Sequence, residues 1–329
     1  MTTIPAAAQE ETRGSPAARL YGFAAGDRLF RGVLSLAALA VPVLMGFLIW
    51  ELISGSRLAI SQYGFNFLRT STWDPVANQF GALPLIFGTL VSSVLALLIA
   101  VPLSLGVAIY LTEFAPMAIR RPIAFVVELL AAIPSVVYGL WGIFFLIPLL
   151  SRTVFPFLKG ALGFLPFFQG AIYGPSMLSA GIILAIMVMP YIMSVSREVL
   201  RAVPSSQREA ALALGATRWE AAWTAVVPYA RSGIVGAIIL GLGRALGETM
   251  AVTMLIGNSH TIAASLFAPG YTMAAAIANE FTEAATPIHF SALAYVALVL
   301  FGVTVVVNAL ARILIWKVSK GQPSGGAAL

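Results

Sequence analysis

Two charged side chains stand four residues apart in an otherwise apolar stretch. Arg244 and Glu248 lie in the segment GLGRALGETMAV, residues 241–252. Residues four apart share a helix face, so the spacing predicts an ion pair within one helix. A guanidinium carries a fork of donors that suits an oxyanion. We therefore expect Arg244 to form a transient anion site that Glu248 holds and tempers. The alternative is a self-neutralised pair that only locks its helix against neighbours.

A second apolar stretch contains neutral polar groups that could line a path for the same anion. The segment AAIPSVVYGLWG, residues 131–142, contains Ser135 and Tyr138, whose hydroxyls can donate to an anion. Pro134 is expected to break the helix there and to free backbone groups. Small residues in helical bundles commonly serve packing, so a packing role for Ser135 stays open.

Glu128 is a third buried-charge candidate, about six residues into the apolar run that starts at residue 123. It is interpreted as either a gate in the path or an interfacial carboxylate paired with Arg120 or Arg121. The paired, interfacial arrangement is the simpler of the two, because an isolated charge deep in a bilayer is costly.

The remaining residues give no support for catalytic, metal or nucleotide chemistry. The chain has no Cys and two His, His260 and His289, which are too few soft ligands for a typical zinc site. No strand is expected before Gly241, Gly243 and Gly247, and no G-K-[ST] sequence occurs, so these glycines predict close helix packing. We expect no catalytic residues, no metal or cofactor bound by this chain, and no nucleic acid partner.

The composition indicates the environment that must position these side chains. Of 329 residues, 60% are hydrophobic and only 10% are charged, and the mean hydropathy is +0.94. A soluble domain is usually about 25% charged, so a soluble enzyme is excluded. A membrane helix needs about 20 apolar residues, and the sequence predicts an all-α polytopic membrane protein with about six spans.

The apolar runs define the predicted organisation. A cytoplasmic tail without stable structure is expected over 1–31, a first helix over 32–53, and a five-helix core over 83–316 with a cytoplasmic loop at 194–231. A second tail is expected over 317–329. The predicted core spans are residues 83–111, 123–150, 175–193, 233–256 and 290–316, with an interfacial loop at 151–175 and a polar loop at 257–287.

The basic residues indicate orientation, because cytoplasmic loops of membrane proteins carry an excess of Lys and Arg. The net charge is +6. Of nineteen Lys and Arg residues, fourteen lie in the two termini, in segments 112–122 and 194–231, or, in the case of Arg312, in the last turns of the final span; four lie in the alternate segments. This asymmetry predicts a multi-pass inner membrane protein with both termini in the cytoplasm.

The cytoplasmic loop carries helix signals of its own in VPSSQREAALALGATRWEAAWTAVVP, residues 203–228. Ser206 with Glu209 has the spacing of a capping box, which predicts a short helix from 207 to 214 ended by Gly215. Thr217 with Glu220 predicts a second helix that runs toward residue 228. The apolar side chains of this element belong to an amphipathic surface helix or contact a partner protein.

The same residues resemble the EAA loop of ABC importer permeases. Glu209, Ala210 and Ala211 are followed after three residues by Gly215, and nine further residues lead to AVVP, which ends at Pro228. The family pattern ends in I-x-L-P, so this chain departs from it at two positions, Ala225 and Val227. The resemblance implies that the loop docks into a cleft on an ATPase subunit, which would bind ATP and Mg²⁺.

Longer stretches resemble the phosphate-specific transport permeases of the PstC type. They are residues 70–93, 131–142, 241–252 and 269–281, in family order. This resemblance implies the type I ABC importer (MetI-like) permease fold and a role in phosphate passage for Arg244 and Glu248. It also implies a PstA-type second permease, two PstB-type ATPase subunits, a PstS-type phosphate-binding protein and a link to a phosphate-sensing kinase system.

Three other functions stay open at this point. The first is a permease for sulfate or molybdate, which would also use Arg244. The second is a secondary transporter, which would use the pair of Arg244 and Glu248 for ion coupling and would not need an EAA loop. A structural or signalling subunit is the third. On the outer side, Glu280 and Glu283 suit basic residues of a docking protein, or are ordinary solvated charges.

Overall fold

A computed structural model describes residues 16–319, and side chains within residues 29–313 and at Trp316. This part of the chain is mostly helical. The α-helices are α1 (Pro16–Gly55), α2 (Arg57–Tyr63), α3 (Leu83–Ile109), α4 (Met117–Ala132), α5 (Ser135–Trp141), α6 (Ile147–Leu149), α7 (Phe155–Leu162), α8 (Met177–Arg201), α9 (Ser205–Ala213), α10 (Arg218–Ala221), α11 (Val227–Gly247), α12 (Met250–Leu255), α13 (Met273–Glu280) and α14 (Pro287–Ser319).

Shorter elements join these helices. The π-helical turns are Tyr110–Phe114, Gly142–Leu146, Leu150–Val154 and Ala222–Val226, and the 3₁₀ turns are Gly64–Leu68 and Pro166–Phe168. Strands β1 (Trp73–Asp74) and β2 (Gln79–Phe80) form an antiparallel hairpin in which Trp73 pairs with Phe80.

Six helical runs within the described residues are long and apolar enough to cross a membrane. They are Leu29–Gly55, Leu83–Phe114, Ser135–Leu162, Met177–Arg201, Arg218–Gly247 and Pro287–Ile313. The predicted number of spans is therefore confirmed, although the third and fifth differ from their predicted positions.

The chain divides into two compact units, Met1–Ser54 and Gly55–Leu329. Helix α1 begins at Pro16, so the expectation of an unstructured tail over 1–31 is wrong from that residue onward. The reason is local, because proline suits the first helical position and the Ala, Arg and Leu residues that follow favour helix. The predicted tail over 1–15, and the part of the second tail over 320–329, lie outside the described residues.

The third predicted span, 123–150, is wrong because the helix breaks within it. Ile133 and Pro134 have extended backbones and separate α4 from α5. The residue before a proline avoids the helical region, which accounts for the break. The run that is apolar and long enough to cross the membrane starts at Ser135 and continues to Leu162, into the predicted interfacial loop.

The fifth span begins and ends earlier than predicted. One continuous helical run extends from Arg218 through Pro228 to Gly247, and the separate helix α12 follows. The π-helical turn Ala222–Val226 ends two residues before Pro228, which therefore stands in the first turn of α11, where a missing N–H is tolerated and the proline does not end the helix. The predicted polar loop at 257–287 also contains a helix, α13.

Helix α8 lies at the centre of the second unit and packs against α3, α4, α5, α11 and α12. Buried clusters follow its length, from Met177 and Leu184 at one end to Met193 and Leu200 at the other. The end near Leu200 also holds the end of α3 and the start of α11. A further cluster joins the β-hairpin to α2, α13 and α14 at the opposite end of α3.

Candidate functional site

Arg244 sits in the last turn of α11 and lies over an aromatic ring. Its Cζ is 4.3 Å from the centroid of the Tyr191 ring on α8, a cation–π geometry. The Nε atom is buried and has no hydrogen-bond partner within the described residues. In the same part of the chain Arg244 forms no ion pair, so its positive charge is not neutralised by a carboxylate.

Two tyrosines connect Arg244 to the break between α4 and α5. Tyr191 donates to the carbonyl oxygen of Ala131 at 3.0 Å, and Tyr138 donates to that of Leu130 at 2.9 Å. These carbonyls belong to the last turn of α4, where the break leaves carbonyl oxygens without the backbone N–H partners that a continuing helix would supply. Pro134 therefore frees backbone groups as predicted, and hydroxyls of the neighbouring helices satisfy them.

The predicted ion pair between Arg244 and Glu248 does not form. Helix α11 ends at Gly247, and Glu248 has extended backbone angles, φ −70° and ψ 126°. Four-residue spacing brings side chains together only within a continuous helix, so it fails at this break. The Glu248 carboxylate instead accepts from the backbone N–H of Ala251 at 3.4 Å, at the start of α12.

Glu128 is paired, but with a different arginine from those predicted. Its Oε1 lies 3.2 Å from Nη2 of Arg197 on α8, which is almost fully buried. The same arginine contacts Glu198 at 3.3 Å. Arg120 instead donates to the carbonyl oxygens of Thr112 and Ala115. Glu128 thus connects α4 to α8. The expectation of a partner close in sequence was wrong, because the break makes α4 a separate helix that packs against α8.

The three glycines near Arg244 do not share one role. A Cβ atom on Gly241 would lie 2.6 Å from Cγ1 of Ile192, so this glycine provides close packing against α8 as predicted. The prediction is wrong for Gly243 and Gly247, since a Cβ atom on either would meet open space. Gly247 is instead the last residue of α11.

The loop of residues 194–231 contains the two predicted helices, with one corrected start. Helix α9 begins at Ser205 after Pro204, and the predicted capping box of Ser206 and Glu209 does not form. Proline itself provides the start here, because its fixed φ is compatible with a first turn. Gly215 has φ +89°, a left-handed conformation that ends the helix as predicted.

The second capping box forms as predicted. The Thr217 N–H donates to Glu220 Oε2 at 2.8 Å, and the Glu220 N–H donates to Thr217 Oγ1 at 3.3 Å. The residues of the EAA pattern lie mainly at the surface: Glu209 and Ala210 are exposed, Ala211 is half-buried, and Leu214 is 90% exposed. Leu212 is exposed as well, so two apolar side chains lie at the surface beside the EAA residues.

One arginine that the sequence analysis missed lies next to these residues. Arg208 forms a two-bond fork with Glu113, with Nε 3.0 Å from Oε2 and Nη2 2.9 Å from Oε1. It also donates to the carbonyl oxygens of Val203 at 2.7 Å and Leu200 at 2.9 Å. Its position before the EAA residues was a usable signal, whereas its partner is 95 residues away in sequence.

At the opposite end of the spans, Glu280 lies in a polar and aromatic cluster. It accepts from Trp73 Nε1 at 2.7 Å, and His289 Nε2 and His260 Nε2 lie 3.2 and 3.5 Å from its oxygens. Burial raises the pKa of Glu280, but contacts with His260 and Trp73 outweigh it and hold the pKa below its ordinary value. Glu280 is therefore not an ordinary solvated charge, whereas Glu283 is exposed.

This cluster lines a cavity of about 640 Å³ between the β-hairpin, the loop before α13 and the start of α14. The ring of His260 stacks on Trp73 at 5.7 Å, and Tyr271 contacts His260 edge-on at 4.8 Å. Burial, the largest cause, raises the pKa of Tyr271 to about 12. In the described part of the chain, no three His, Asp or Glu side chains are arranged to hold a metal ion.

The geometry can now be compared with known proteins. Residues 100–320 match the family described as "Binding-protein-dependent transport system inner membrane component". The chain belongs to this family. It is therefore a binding-protein-dependent permease, a multi-pass transport subunit of the ABC importer type.

Two relatives of this permease carry the name "Phosphate transport system permease protein PstC". The protein from Mesorhizobium japonicum is 46% identical over 310 residues, covering 93% of this chain and 95% of the relative. The protein from Xylella fastidiosa is 45% identical over 312 residues, covering 94% and 96%. The predicted membership in the PstC-type family is confirmed.

A solved structure shares the fold of this permease. A chain of a bacterial ABC transporter involved in the import of the acidic polysaccharide alginate matches with a TM-score of 0.56 at 19% identity, covering 87% of this chain and 98% of that chain. The predicted all-α permease fold of the type I ABC importers is therefore confirmed.

The structure brings some predicted site residues of the permease together and separates others. Arg244 and Tyr138 lie near each other and near Tyr191. Ser135 begins α5, and Glu248 faces α12, so the roles of both in a substrate path stay predictions. Tyr191 was missed because an aromatic residue in an apolar run gives no distinctive signal.

Proposed function

We propose that this permease carries inorganic phosphate inward as a subunit of an ATP-driven importer. The observation that carries the proposal is that Arg244 lacks a carboxylate partner within the described residues and lies over Tyr191, close to the C-terminal ends of α4 and α11. The names of the relatives support phosphate as the substrate, because both are phosphate transport permeases that align over more than nine-tenths of this chain.

Arg244 is proposed to bind phosphate transiently. Phosphate carries one to two negative charges at neutral pH and needs donors in place of water to cross the apolar region. The guanidinium has no carboxylate partner within the described residues, so its donors are available to the anion. Attraction to the Tyr191 ring orients the guanidinium without cancelling its charge, so binding is retained while release remains rapid.

Neighbouring groups are proposed to complete the path. Ser135 would supply a neutral donor, Tyr138 would supply another once its hydroxyl turns away from the Leu130 carbonyl, and Glu248 would limit how tightly Arg244 holds the anion as α11 and α12 change their angle. The link between Glu128 and Arg197 would act as a gate between the last turns of α4 and α8. Supporting this, the pair joins the helix that leads into the break to the helix that carries Tyr191.

The EAA loop is proposed to couple this path to ATP hydrolysis. The loop would dock on a PstB-type ATPase subunit through its exposed residues Glu209, Ala210 and Leu214. Its shape would be set by Ala211, Gly215 and Pro228. Two such subunits would bind ATP and Mg²⁺, and a PstA-type permease would pair with this chain. This chain would bind no cofactor itself.

The orientation follows from the charges. We place both termini and the EAA loop in the cytoplasm, because fourteen of nineteen basic residues lie on that side. A PstS-type phosphate-binding protein would then dock at the end that holds Glu280 and Glu283. Through the same complex, the importer would report phosphate status to a sensor kinase.

The experiment that tests this proposal is uptake by the complete importer in liposomes loaded with ATP. Uptake of phosphate, sulfate and molybdate is measured with the binding protein outside. We expect ATP-dependent uptake of phosphate that tenfold excesses of sulfate or molybdate do not inhibit. Preferential uptake of another oxyanion, or uptake that an ion gradient drives without ATP, would contradict the proposal in favour of the two rival transporters.

A further inference from the structure

Helix α9 is fastened to the spans by a polar side chain rather than by an apolar face. None of its nine residues is buried. Only Arg208 and Ala211 are partly shielded from solvent. A helix that packs through the hydrophobic effect buries an apolar stripe, and α9 has none. The attachment of α9 therefore depends strongly on the guanidinium of Arg208.

The hydrogen bonds of Arg208 fix its position in two directions. The fork to Glu113 is bidentate, and two further donors reach the carbonyl oxygens of Leu200 and Val203. The side chains of Arg208 and Glu113 are only 24% and 12% exposed, so water competes weakly for these bonds. A bidentate, partly buried fork resists rotation as well as displacement.

These partners lie at the ends of two different spans. Glu113 belongs to the π-helical turn Tyr110–Phe114 that extends α3, and Leu200 is in the last turn of α8. Both ends are anchored in one buried cluster that includes Leu111, Leu200 and Val226. Arg208 thus connects the loop helix to a rigid part of the spans, and the Glu113 carboxylate is its contact on α3.

The connection leads toward the proposed anion site. Helix α8 continues from Leu200 back to Tyr191, nine residues or about 14 Å along the axis. Tyr191 is the ring over which Arg244 lies. A shift of α8 therefore moves the Tyr191 ring over which Arg244 lies. A shift of α9 would not move that ring if α9 were not joined to α8.

We propose that the joint between Arg208 and Glu113 transmits movement of α9 to α3 and α8, so that both are positioning residues for transport. The inference rests on the proposed function, because it takes α9 as the element that an ATPase subunit moves. Lysine at position 208 keeps the charge but lacks the planar fork, so it cannot hold both carboxylate oxygens and both carbonyls together.

The test uses the complete importer in liposomes, with phosphate uptake and ATP hydrolysis measured in the same vesicles. The variants are Arg208→Lys and Glu113→Gln. The matched control is Arg201→Lys, whose 3.3 Å pair with Glu198 is exposed and lies within α8 alone. We expect both joint variants to co-purify with the ATPase and to hydrolyse ATP, while phosphate carried per ATP falls about tenfold, within the usual range of coupling effects.

The control should keep the wild-type ratio of phosphate to ATP, and combining Arg208→Lys with Glu113→Gln should be no worse than either change alone. The proposal is overturned if both joint variants keep the wild-type ratio, or if uptake and hydrolysis fall in parallel. If the wild-type complex carries no phosphate, the proposed function fails instead. The dependence of ATP hydrolysis on the binding protein then still tests the joint, since hydrolysis that continues without the binding protein is expected in Arg208→Lys but not in Arg201→Lys.

Discussion

At the scale of single residues, the surroundings of Arg244 determine how its charge is used. A carboxylate partner would have neutralised the guanidinium, whereas the Tyr191 ring attracts it weakly and leaves its donors free. The tyrosine hydroxyl is itself occupied by the Ala131 carbonyl, so the ring position is fixed by the break in the third span. Ring and hydroxyl contribute separately, and substitutions can distinguish them.

We predict that Tyr191→Leu reduces phosphate uptake by about thirtyfold, because a desolvated cation–π contact contributes about 2 kcal/mol and its loss lets Arg244 move. Tyr191→Phe keeps the ring and loses one hydrogen bond, so its uptake should fall about fivefold or less. Uptake by assembled complexes in liposomes measures both effects, with Tyr173→Leu at an exposed tyrosine as control. Equal uptake by Tyr191→Leu and the wild type would contradict the role of the ring.

Glu280 gives a pH prediction at the same scale. Its pKa in the folded protein is lowered from 4.5, so the ionised carboxylate stabilises the fold above that pH. This contribution is lost as the pH falls through the lowered value. Glu280→Gln should therefore melt a few degrees below the wild type at pH 7, and this difference should shrink on acidification. Melting curves of the purified protein from pH 7 to pH 3.5 measure it, and a difference that stays constant would contradict the assignment.

Single residues also indicate what a sequence can and cannot reveal about a site. Arg244 is identifiable because a charge in an apolar run is costly and needs a reason. Its contact with Tyr191 is not identifiable, since 53 residues separate the two and the approach of α8 to α11 depends on packing. The joint of Arg208 with Glu113 escapes notice for the same reason.

At the scale of helices, close packing around α8 sets the geometry of the site. Gly241 lets α11 approach Ile192 and Val188, both fully buried, and this approach places Arg244 over α8. Two residues along, Gly243 faces open space. The two glycines therefore form a matched pair within one turn of the same helix.

We predict that Gly241→Ala lowers the free energy of unfolding by about 1–3 kcal/mol, because the added methyl overpacks a buried contact. Gly243→Ala should be neutral or stabilising by up to about 1 kcal/mol, since alanine favours helix. Reversible unfolding in mixed micelles measures both variants. Similar values for the two substitutions would contradict the proposed packing of α11 on α8.

The helix starts in the EAA loop provide a second matched pair. Thr217→Ala removes the capping box of α10 and should destabilise that turn by about 1 kcal/mol, whereas Ser206→Ala removes no cap and should have little effect. Hydrogen exchange of the amides of residues 218–221 measures the local change, with faster exchange expected in Thr217→Ala alone. Faster exchange in both variants, or in neither, would contradict the observed caps.

Helix breaks limit what the sequence can predict at this scale. Pro134 signals its break directly, because proline constrains the preceding residue. The end of α11 at Gly247 has a weaker signal, since Gly243, Gly241 and Gly236 in the same helix do not end it. The prediction that Arg244 pairs with Glu248 therefore assumed a continuous helix, and the tertiary structure interrupts that helix.

At the scale of the whole molecule, hydropathy is sufficient to identify a polytopic membrane protein with six spans, whereas its role as a transport subunit came from the resemblance of the EAA loop. The spans follow from composition because lipid requires apolar helices of a minimum length. The position of the EAA loop follows from its spacing pattern. The mutual approach of spans far apart in sequence follows from neither, and it is this approach that creates the site and the joint.

The central claim is that Arg244 is the anion site for phosphate. The most direct measurement is ATP-driven uptake of radiolabelled phosphate by importer complexes that contain wild-type permease, Arg244→Lys or Arg244→Gln. We predict that Arg244→Gln lowers uptake at least about a hundredfold, while Arg244→Lys, which keeps the charge without the fork, retains about a tenth. Wild-type uptake by a fully assembled Arg244→Gln complex would contradict the account.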